Sequence, residues 1–162
     1  MQNDFLFSDT VKENIRFGRE VSDEALQDAI NNAQAEEFIS ELSEKEDSAL
    51  TSKGTNVSGG QRQRILLSRA FAAQPDFLLL DDSSSALDYK TDSLLRKALN
   101  EKYPDTTMVI VAQRVSSIKG CDQIIVLDHG VVNGHGTDQQ LMKNNALYAA
   151  IADSQMGGAL FD

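Results

Sequence analysis

The sequence predicts an α/β fold with a mostly parallel sheet. Apolar runs of strand length alternate with helical patterns between residues 76 and 143. The run 77–80 is continuously apolar, which predicts a strand buried on both faces. Two adjacent carboxylates, Asp81 and Asp82, follow it at the strand end where open α/β sheets bind ligands. Residues 20–55 are instead helical in pattern and acidic, which indicates a separate helical subdomain.

Start and stop signals order the predicted elements. Ser22, Asp88 and Thr137 each precede a helical pattern, and Thr137 with Gln140 fits a capping box. A further helix is predicted over 61–73, where apolar residues recur along one side. Further strands are expected at 108–111 and 123–127, and a hairpin turn at 128–130 leads into Val131 and Val132.

Composition and charge limit the class of partner. The 162 residues are 41% hydrophobic and 25% charged, as in an ordinary globular domain that can bury a core. The formal net charge is −10, and the acidic excess is concentrated in the first 53 residues. A nucleic-acid binder needs a basic face to displace counterions from phosphates, so the charge argues against DNA or RNA as the main partner.

The cysteine content does not indicate disulfide bonds, and the hydropathy does not indicate a membrane span. Cys121 is the single cysteine, which excludes an internal disulfide, suits a reducing compartment and indicates a packed thiol without chemistry. No apolar run approaches the roughly 18 residues of a membrane span, and no signal peptide is evident, so we expect this chain itself to be soluble. The apolar start MQNDFLF suggests that the chain begins inside a domain.

A glycine-rich turn before the 61–73 helix is a candidate anion site. Ser58, Gly59 and Gly60 place unhindered backbone N–H groups at a helix N-terminus, where the helix dipole favours negative charge. Together with the carboxylates at the end of the 77–80 strand, this turn predicts an anion-binding active site.

Several motifs in a fixed order resemble those of one family. Val57-Ser58-Gly59-Gly60-Gln61 resembles the LSGGQ signature, with Val57 replacing the usual leucine, and the run 77–82 resembles a Walker B strand. Ser85-Ala86-Leu87-Asp88 resembles the D-loop, and Val111-Ala112-Gln113-Arg114 resembles the switch region. Gln2 is at the position of the Q-loop glutamine, and it is followed by the exporter-like segment FLFSDTVKENIRFG. Over nearly its whole length the chain resembles the C-terminal two-thirds of the nucleotide-binding domain of an ABC transporter of the exporter type.

The resemblance implies a partial P-loop NTPase fold, a RecA-like and mostly parallel sheet with an α-helical ABC signature subdomain. It divides one ABC ATPase domain into three parts: 1–19 with the Q-loop and exporter segment, 20–73 with the helical signature subdomain, and 74–162 with Walker B, D-loop and switch.

One motif of the family does not occur in the sequence. No GxxxxGK followed by Ser or Thr is present, so the loop that cradles the phosphates in P-loop proteins is absent from these residues. In the family that loop lies upstream of the Q-loop. We therefore expect the chain alone to be inactive as an ATPase, and to expose apolar sheet edges that favour self-association or marginal stability.

The resemblance also implies a role for each motif residue. ATP would be held between two such domains, with the signature residues Ser58, Gly59, Gly60 and Gln61 facing a nucleotide on the partner. Mg²⁺ would be held by Asp81 and the side-chain oxygen of Gln2. The D-loop residues Ser85 and Asp88 would also line the nucleotide site, and Asp82 and Gln113 would occupy the catalytic positions.

The two catalytic positions depart from the family pattern. Asp82 stands where active members carry glutamate, and its carboxylate therefore falls on the order of 1 Å short of the attacking water, which can cost about 100-fold in rate. Gln113 replaces the switch histidine, and glutamine can donate a hydrogen bond but cannot become cationic. Together the two departures predict a degenerate site that binds ATP and hydrolyses it slowly.

The expected assembly is an asymmetric pair, as in heterodimeric ABC exporters. One partner is a second nucleotide-binding domain on a non-identical half-transporter, and the other is a transmembrane domain of the same full-length chain. This places the chain at the cytoplasmic side of the cell membrane, where ATP-driven dimerisation is coupled to substrate translocation. Two alternatives stay open, a non-hydrolysing nucleotide-dependent dimerisation module and an ABC ATPase of DNA maintenance. The exporter segment and the acidic charge argue against the latter.

Other polar and aromatic residues have simpler interpretations. His129 and His135 lie in a glycine-rich hairpin and do not suggest a metal site. We expect Arg62, Arg64 and Arg69 to be surface or subdomain-bridging charges. The exporter segment 5–7 is expected either to pack in the core or to contact the membrane domain.

Overall fold

The computed structural model describes residues 5–158, and Gln2 therefore lies outside the described residues. The chain divides into two units, Met1–Val111 and Ala112–Asp162. The three-part division expected from the family resemblance stays a prediction.

Helices dominate the first unit. Its α-helices are α1 (Val11–Arg16), α2 (Asp23–Asn32), α3 (Glu36–Ser40), α4 (Gly59–Phe71) and α5 (Tyr89–Lys102), and its strands are β1 (Phe77–Asp81) and β2 (Thr107–Val111). Short 3-10 turns at Lys45–Asp47 and Ser52–Gly54 connect α3 to α4.

Side-chain caps fix where several helices begin, as predicted. Ser22 Oγ accepts a hydrogen bond from Ala25 N at 3.1 Å at the start of α2. Asp88 Oδ1 accepts from Thr91 N at 2.9 Å at the start of α5. Each cap satisfies a backbone donor that the first helical turn leaves without an intrahelical acceptor.

The core of the first unit is built around α4. This helix packs against α1 and α2 and buries Ile65, Leu67 and Phe71. The buried side chains opposite it come from the segment before α1 and from the first three helices and include Leu6, Val11, Ile15, Leu26, Ala29, Ile30, Phe38 and Ile39. Helix α4 is therefore anchored along its length, and the position of its first turn is set by packing.

Strands β1 and β2 pair in parallel, which confirms the parallel character of the predicted sheet. The register runs from Phe77 opposite Thr107 to Asp81 opposite Val111. Leu78 and Leu80 are buried, but Phe77 and Leu79 are 76% and 69% exposed. The prediction of a strand buried on both faces is therefore wrong, because the described residues cover only one face of this two-stranded sheet.

The second unit is a hairpin with helices. It contains α6 (Val115–Ile118), β3 (Ile124–Asp128), β4 (Val131–Gly136), α7 (Asp138–Asn144) and α8 (Ala146–Gly158). The antiparallel pairing of β3 with β4 confirms the predicted hairpin. Its turn contains His129 and Gly130 at φ 48° and 80°, conformations that glycine adopts without strain.

The predicted capping box orders the helical part of this unit. Thr137 Oγ1 accepts from Gln140 N, while Gln140 Oε1 accepts from Thr137 N, at the start of α7. Tyr148 is buried, and its hydroxyl donates to Asp138 Oδ1 at 2.7 Å, which ties α8 to the first turn of α7. Among residues 5–158, no helix combines the length and apolarity that crossing a bilayer requires.

Candidate functional site

Helix α4 begins with a complete capping box at Ser58. Ser58 Oγ accepts from Gln61 N at 3.2 Å, and Gln61 Oε1 accepts from Ser58 N at 2.9 Å. A hydroxyl that accepts a hydrogen bond still has its own proton to donate, and the amide nitrogen of Gln61 also remains a donor. Both side chains are thus held in place with donors available for an anion. The S-x-x-Q spacing was the sequence signal for this box, and it was missed.

Gly59 and Gly60 differ in what a side chain at each position would meet. A Cβ on Gly59 would approach nothing closer than Ala86 Cβ at 3.9 Å, so this position is open. A Cβ on Gly60 would lie 3.0 Å from Ala86 O, closer than the packing allows without movement. Gly59 is exposed at the first position of the helix, where the N–H has no intrahelical acceptor, whereas Gly60 permits a close approach of α4 to the backbone at residue 86.

The two carboxylates occupy the carboxyl end of β1. Asp81 is the last residue of the strand and is exposed, opposite Val111 in the register. Asp82 has φ 50°, a left-handed conformation that few residues other than glycine, asparagine and aspartate adopt readily, and its N–H donates to Val111 O at 2.9 Å. The chain therefore turns sharply away from the sheet directly after the exposed carboxylate of Asp81.

Hydrogen bonds to one carbonyl hold this turn, which spans residues 82–88. Asp82 O accepts from Ser85 Oγ at 2.9 Å and from Ser85 N at 3.3 Å. It also accepts from Gln63 Nε2 of α4 at 3.1 Å. The left-handed backbone at Asp82 is thus stabilised by three donors.

Asp88 ends the turn and caps α5. Its two carboxylate oxygens accept from Thr91 N at 2.9 Å and from Thr91 Oγ1 at 2.8 Å. The bonds from the Thr91 backbone and then from its side chain hold the pKa of Asp88 below its ordinary value of 3.8. In this structure the side chains of Ser85 and Asp88 therefore both stabilise the loop that carries them.

Three arginines of α4 bridge to other segments. Arg69 donates to Asn14 O at 2.8 Å and stacks on the Phe17 ring, with 4.6 Å to the centroid. Arg64 donates to Gln34 O at 2.9 Å, and Arg62 donates to Gly54 O at 3.3 Å. These contacts agree with the bridging role expected from the sequence.

Asn14 is a further buried polar residue that sequence reasoning did not find. It is 1% exposed, and its amide accepts from Phe7 N at 2.8 Å and donates to Thr10 O at 2.9 Å. It thereby fixes the exporter-like segment against α1. Its side-chain oxygen also accepts from Arg69 Nη2 at 3.2 Å, 55 positions away in the sequence, so no local pattern records these bonds.

Gln113 lies in the second unit. Its side chain is exposed, and its backbone carbonyl accepts from Gln155 Nε2 at 2.8 Å. The side-chain oxygen of Gln155 accepts in turn from Val115 N at 2.9 Å, so α8 holds the segment that carries Gln113. Of the predicted site residues, the structure brings the signature, Asp82, Ser85 and Asp88 together within the first unit.

The chemistry of the donors fits a Mg²⁺-nucleotide more closely than a protein-caged metal. No group of three or more His, Cys, Asp or Glu side chains in residues 5–158 could hold a metal ion. Mg²⁺ retains water and takes one or two carboxylates besides phosphate oxygens, which matches the single exposed Asp81. The open amide of Gly59 and the hydroxyl of Ser58 are donors of the kind that phosphates accept.

Comparison with known proteins places this arrangement in a family. The model of the family described as ABC transporter matches residues 1–85. An uncharacterized ABC transporter ATP-binding protein YknU from Bacillus subtilis (strain 168) is 40% identical over 156 residues, which are 96% of this chain and 27% of that protein. An ATP-dependent lipid A-core flippase from Francisella tularensis subsp. holarctica (strain OSU18) is 39% identical, covering 94% of this chain and 26% of the flippase.

A solved structure agrees with the sequence comparisons. A bacterial Atm1-family ABC exporter with ATP bound matches with a TM-score of 0.90 and 31% identity, over 96% of this chain and 28% of the exporter chain. The predicted α/β class with a parallel sheet is thereby confirmed. The chain spans about a quarter of the length of the relatives it matches. By its family match, its relatives and its fold, the chain belongs to the ABC transporter family.

Proposed function

We propose that the chain is part of the ATP-binding and ATP-hydrolysing domain of an ABC exporter and contributes to two different nucleotide sites. The observation that carries the proposal is the start of α4, where the capped Ser58 and the open Gly59 present donors at the N-terminus of a 13-residue helix. This end of the helix is suited to the γ-phosphate of a nucleotide bound by a partner domain.

The second contribution is at the end of β1 and serves the chain's own site. Asp81, together with Gln2, would hold Mg²⁺, which neutralises charge on the phosphates when it is bound. Asp82 would orient the attacking water from its turn, and its side chain is one methylene shorter than that of a glutamate. Ser85 and Asp88 would shape the loop beside the nucleotide.

We propose that this own site is degenerate. A carboxylate at Asp82 that falls on the order of 1 Å short can cost about 100-fold in rate. Gln113 can donate to a phosphate but cannot carry a positive charge. The chain's own site would bind ATP and turn it over slowly, while its signature completes an active site on a non-identical partner.

The proposed cellular location and domain organisation follow from the similarity to ABC exporters. The full-length protein would carry a transmembrane domain and sit with this domain on the cytoplasmic side of the cell membrane, exporting a substrate. Pairing with a second ATP-binding domain would be driven by ATP. The departures at Asp82 and Gln113 favour one second candidate, a nucleotide-dependent dimerisation module that does not hydrolyse ATP.

A binding experiment on the full-length protein tests the proposal. Mg²⁺-dependent ATP binding and steady-state hydrolysis are measured for the wild type, for Asp81→Asn and for Asp76→Asn. Asp76 directly precedes β1 at the opposite end of the strand, so it is a matched control. We expect Asp81→Asn to weaken Mg²⁺-dependent binding on the order of 10-fold, since one charge-assisted contact is lost.

The outcomes separate the candidates. Binding with slow hydrolysis supports the exporter ATPase, and binding without any hydrolysis supports the dimerisation module. Absence of ATP binding in the wild type, or an equal loss in the Asp76 and Asp81 variants, would overturn the proposed site.

A further inference from the structure

Gln63 joins α4 to the 82–88 turn through both ends of its side-chain amide. Its Nε2 donates to Asp82 O at 3.1 Å, and its Oε1 accepts from Ala86 N at 3.0 Å. The two bonded residues lie 19 and 23 positions away in the sequence. One side chain therefore fixes two backbone groups of the turn relative to the helix.

The contact lies where α4 and the turn already approach each other closely. A Cβ on Gly60 would lie 3.0 Å from Ala86 O, so the first turn of the helix abuts the same residue whose N–H binds Gln63. Leu87 is buried directly beyond it. Gln63 supplies the directional bonds to this contact, and the two backbones supply its close packing.

At the Asp82 end of the contact, the backbone adopts a left-handed conformation. Asp82 has φ 50°, and its carbonyl accepts from Gln63 as well as from Ser85. A left-handed conformation is less favourable for aspartate than for glycine, and it persists where its surroundings hold it. Ser85 belongs to the turn itself, whereas Gln63 belongs to α4. Replacing Gln63 therefore removes the donor that reaches Asp82 O from outside the turn.

We propose that Gln63 is a positioning residue that locks the start of α4 to the Asp82 turn, so that the two keep a fixed geometry. This inference rests on the proposed function, in which the start of α4 serves the partner's nucleotide and Asp82 serves the chain's own. Gln63 then holds together the two parts of this chain that contribute to different nucleotide sites. It acts through other residues and does not contact nucleotide itself.

The bracing role predicts a particular kinetic pattern. A displacement near 1 Å of groups that act in the transition state lowers turnover far more than ground-state binding. Mutation of residues that hold metal ligands in place typically costs about 10- to 100-fold in affinity or activity, and Gln63 holds the turn that begins directly after Asp81. We therefore expect kcat to fall by at least about 10-fold in Gln63→Leu, while KM for ATP stays within about two-fold.

Two further variants separate the ends of the amide. Gln63→Glu keeps an acceptor for Ala86 N but loses the donor to Asp82 O, whereas Gln63→Lys keeps a donor and loses the acceptor. Hydrogen exchange of the Ala86 amide, measured without nucleotide, should be faster in Gln63→Lys and Gln63→Leu but not in Gln63→Glu. The Thr91 amide, which Asp88 holds, is the internal reference.

The matched control is Arg64→Met on the same helix. Arg64 also donates from α4 to a distant backbone carbonyl, that of Gln34, and does not contact the 82–88 turn through that bond. We expect its variant to keep kcat within about two-fold and to leave exchange at Ala86 unchanged.

Several results would overturn the inference. One is wild-type kcat together with wild-type Ala86 exchange in Gln63→Leu. Another is a loss in Arg64→Met equal to that in the Gln63 variants, which would indicate general destabilisation of α4. If Gln63→Leu does not fold, the Glu and Lys variants carry the same test. A wild type without ATP hydrolysis would refute the proposed function alone, because the exchange experiment still reports whether Gln63 holds the turn.

Discussion

At the scale of single residues, the same side chains hold the backbone and present chemical groups. Ser58 and Gln61 form a reciprocal cap, yet each retains a donor that the cap does not use. Asp82 is held in a left-handed turn through its backbone, and its carboxylate is not needed to hold that turn. The proposed chemistry therefore depends on side-chain length and charge at a few fixed positions.

The first prediction concerns restoration of the nucleotide site that we propose to be degenerate. In the full-length protein, Asp82→Glu extends the carboxylate by one methylene, but Gln113 still cannot become cationic, so we expect ATPase activity to rise only a few-fold. Asp82→Glu combined with Gln113→His should raise it by about 100-fold over the wild type. Steady-state phosphate release measures both, and full recovery from Asp82→Glu alone would contradict the account.

At the scale of elements, caps determine where the functional helices begin. Helix α5 starts at Asp88, directly after the turn that carries Asp82 and Ser85. Because two bonds from Thr91 favour the ionised form of Asp88, its pKa in the folded protein lies below 3.8. The stability that the ionised cap contributes is complete above that ordinary value and is lost as the pH falls through the lower folded value.

The second prediction uses that linkage. Asp88→Asn keeps an N-cap acceptor of similar quality but removes the charge and its titration. We expect the variant to unfold at nearly the wild-type temperature at pH 7 and to lose less stability than the wild type on acidification below pH 4. Thermal unfolding followed by circular dichroism across this range measures the difference. An identical acid dependence in the two proteins would show that the Asp88 charge does not contribute.

Local signals in the sequence account for much of what these elements show. The caps at Ser22, Asp88 and Thr137 and the β3–β4 hairpin were predictable, because each depends on residues a few positions apart. The box at Ser58 has an equally local S-x-x-Q pattern and could have been found.

Features that depend on distant residues were not predictable. An apolar run such as β1 does not reveal whether its second face is covered, since that is decided by other parts of the fold. Gln63 binds residues 19 and 23 positions away, and no periodicity records that contact. The left-handed turn at Asp82 likewise follows from its tertiary hydrogen bonds.

At the scale of the whole molecule, each of the two units presents an apolar sheet face to solvent. In the first unit this face consists of Phe77, Leu79, Val109 and Val111, each more than half exposed. In the second it includes Leu127 and Val132, which are opposite each other in the register, and Ile125, two residues before Leu127. Exposed apolar sheet faces of this kind promote association or lower stability.

The third prediction follows for the 162-residue chain. We expect self-association in light scattering or cooperative unfolding below about 60 °C. Replacing Leu79 and Val109 by threonine should reduce association, since threonine is a β-branched residue suited to a strand and adds a polar group. Leu94→Gln, which changes an exposed leucine of α5, is the control and should have little effect. A monodisperse wild-type monomer that unfolds cooperatively above about 60 °C would contradict this prediction.

We propose that the two ends of the 58–88 stretch belong to different nucleotide sites. They are separated by ATP turnover of the full-length protein assembled with the proposed partner half-transporter, with each variant placed in this chain only. We expect Ser58→Arg nearly to abolish turnover, because it blocks the partner's active site, whereas Asp82→Asn should leave most of the turnover. Turnover untouched by Ser58→Arg but abolished by Asp82→Asn would contradict the claim.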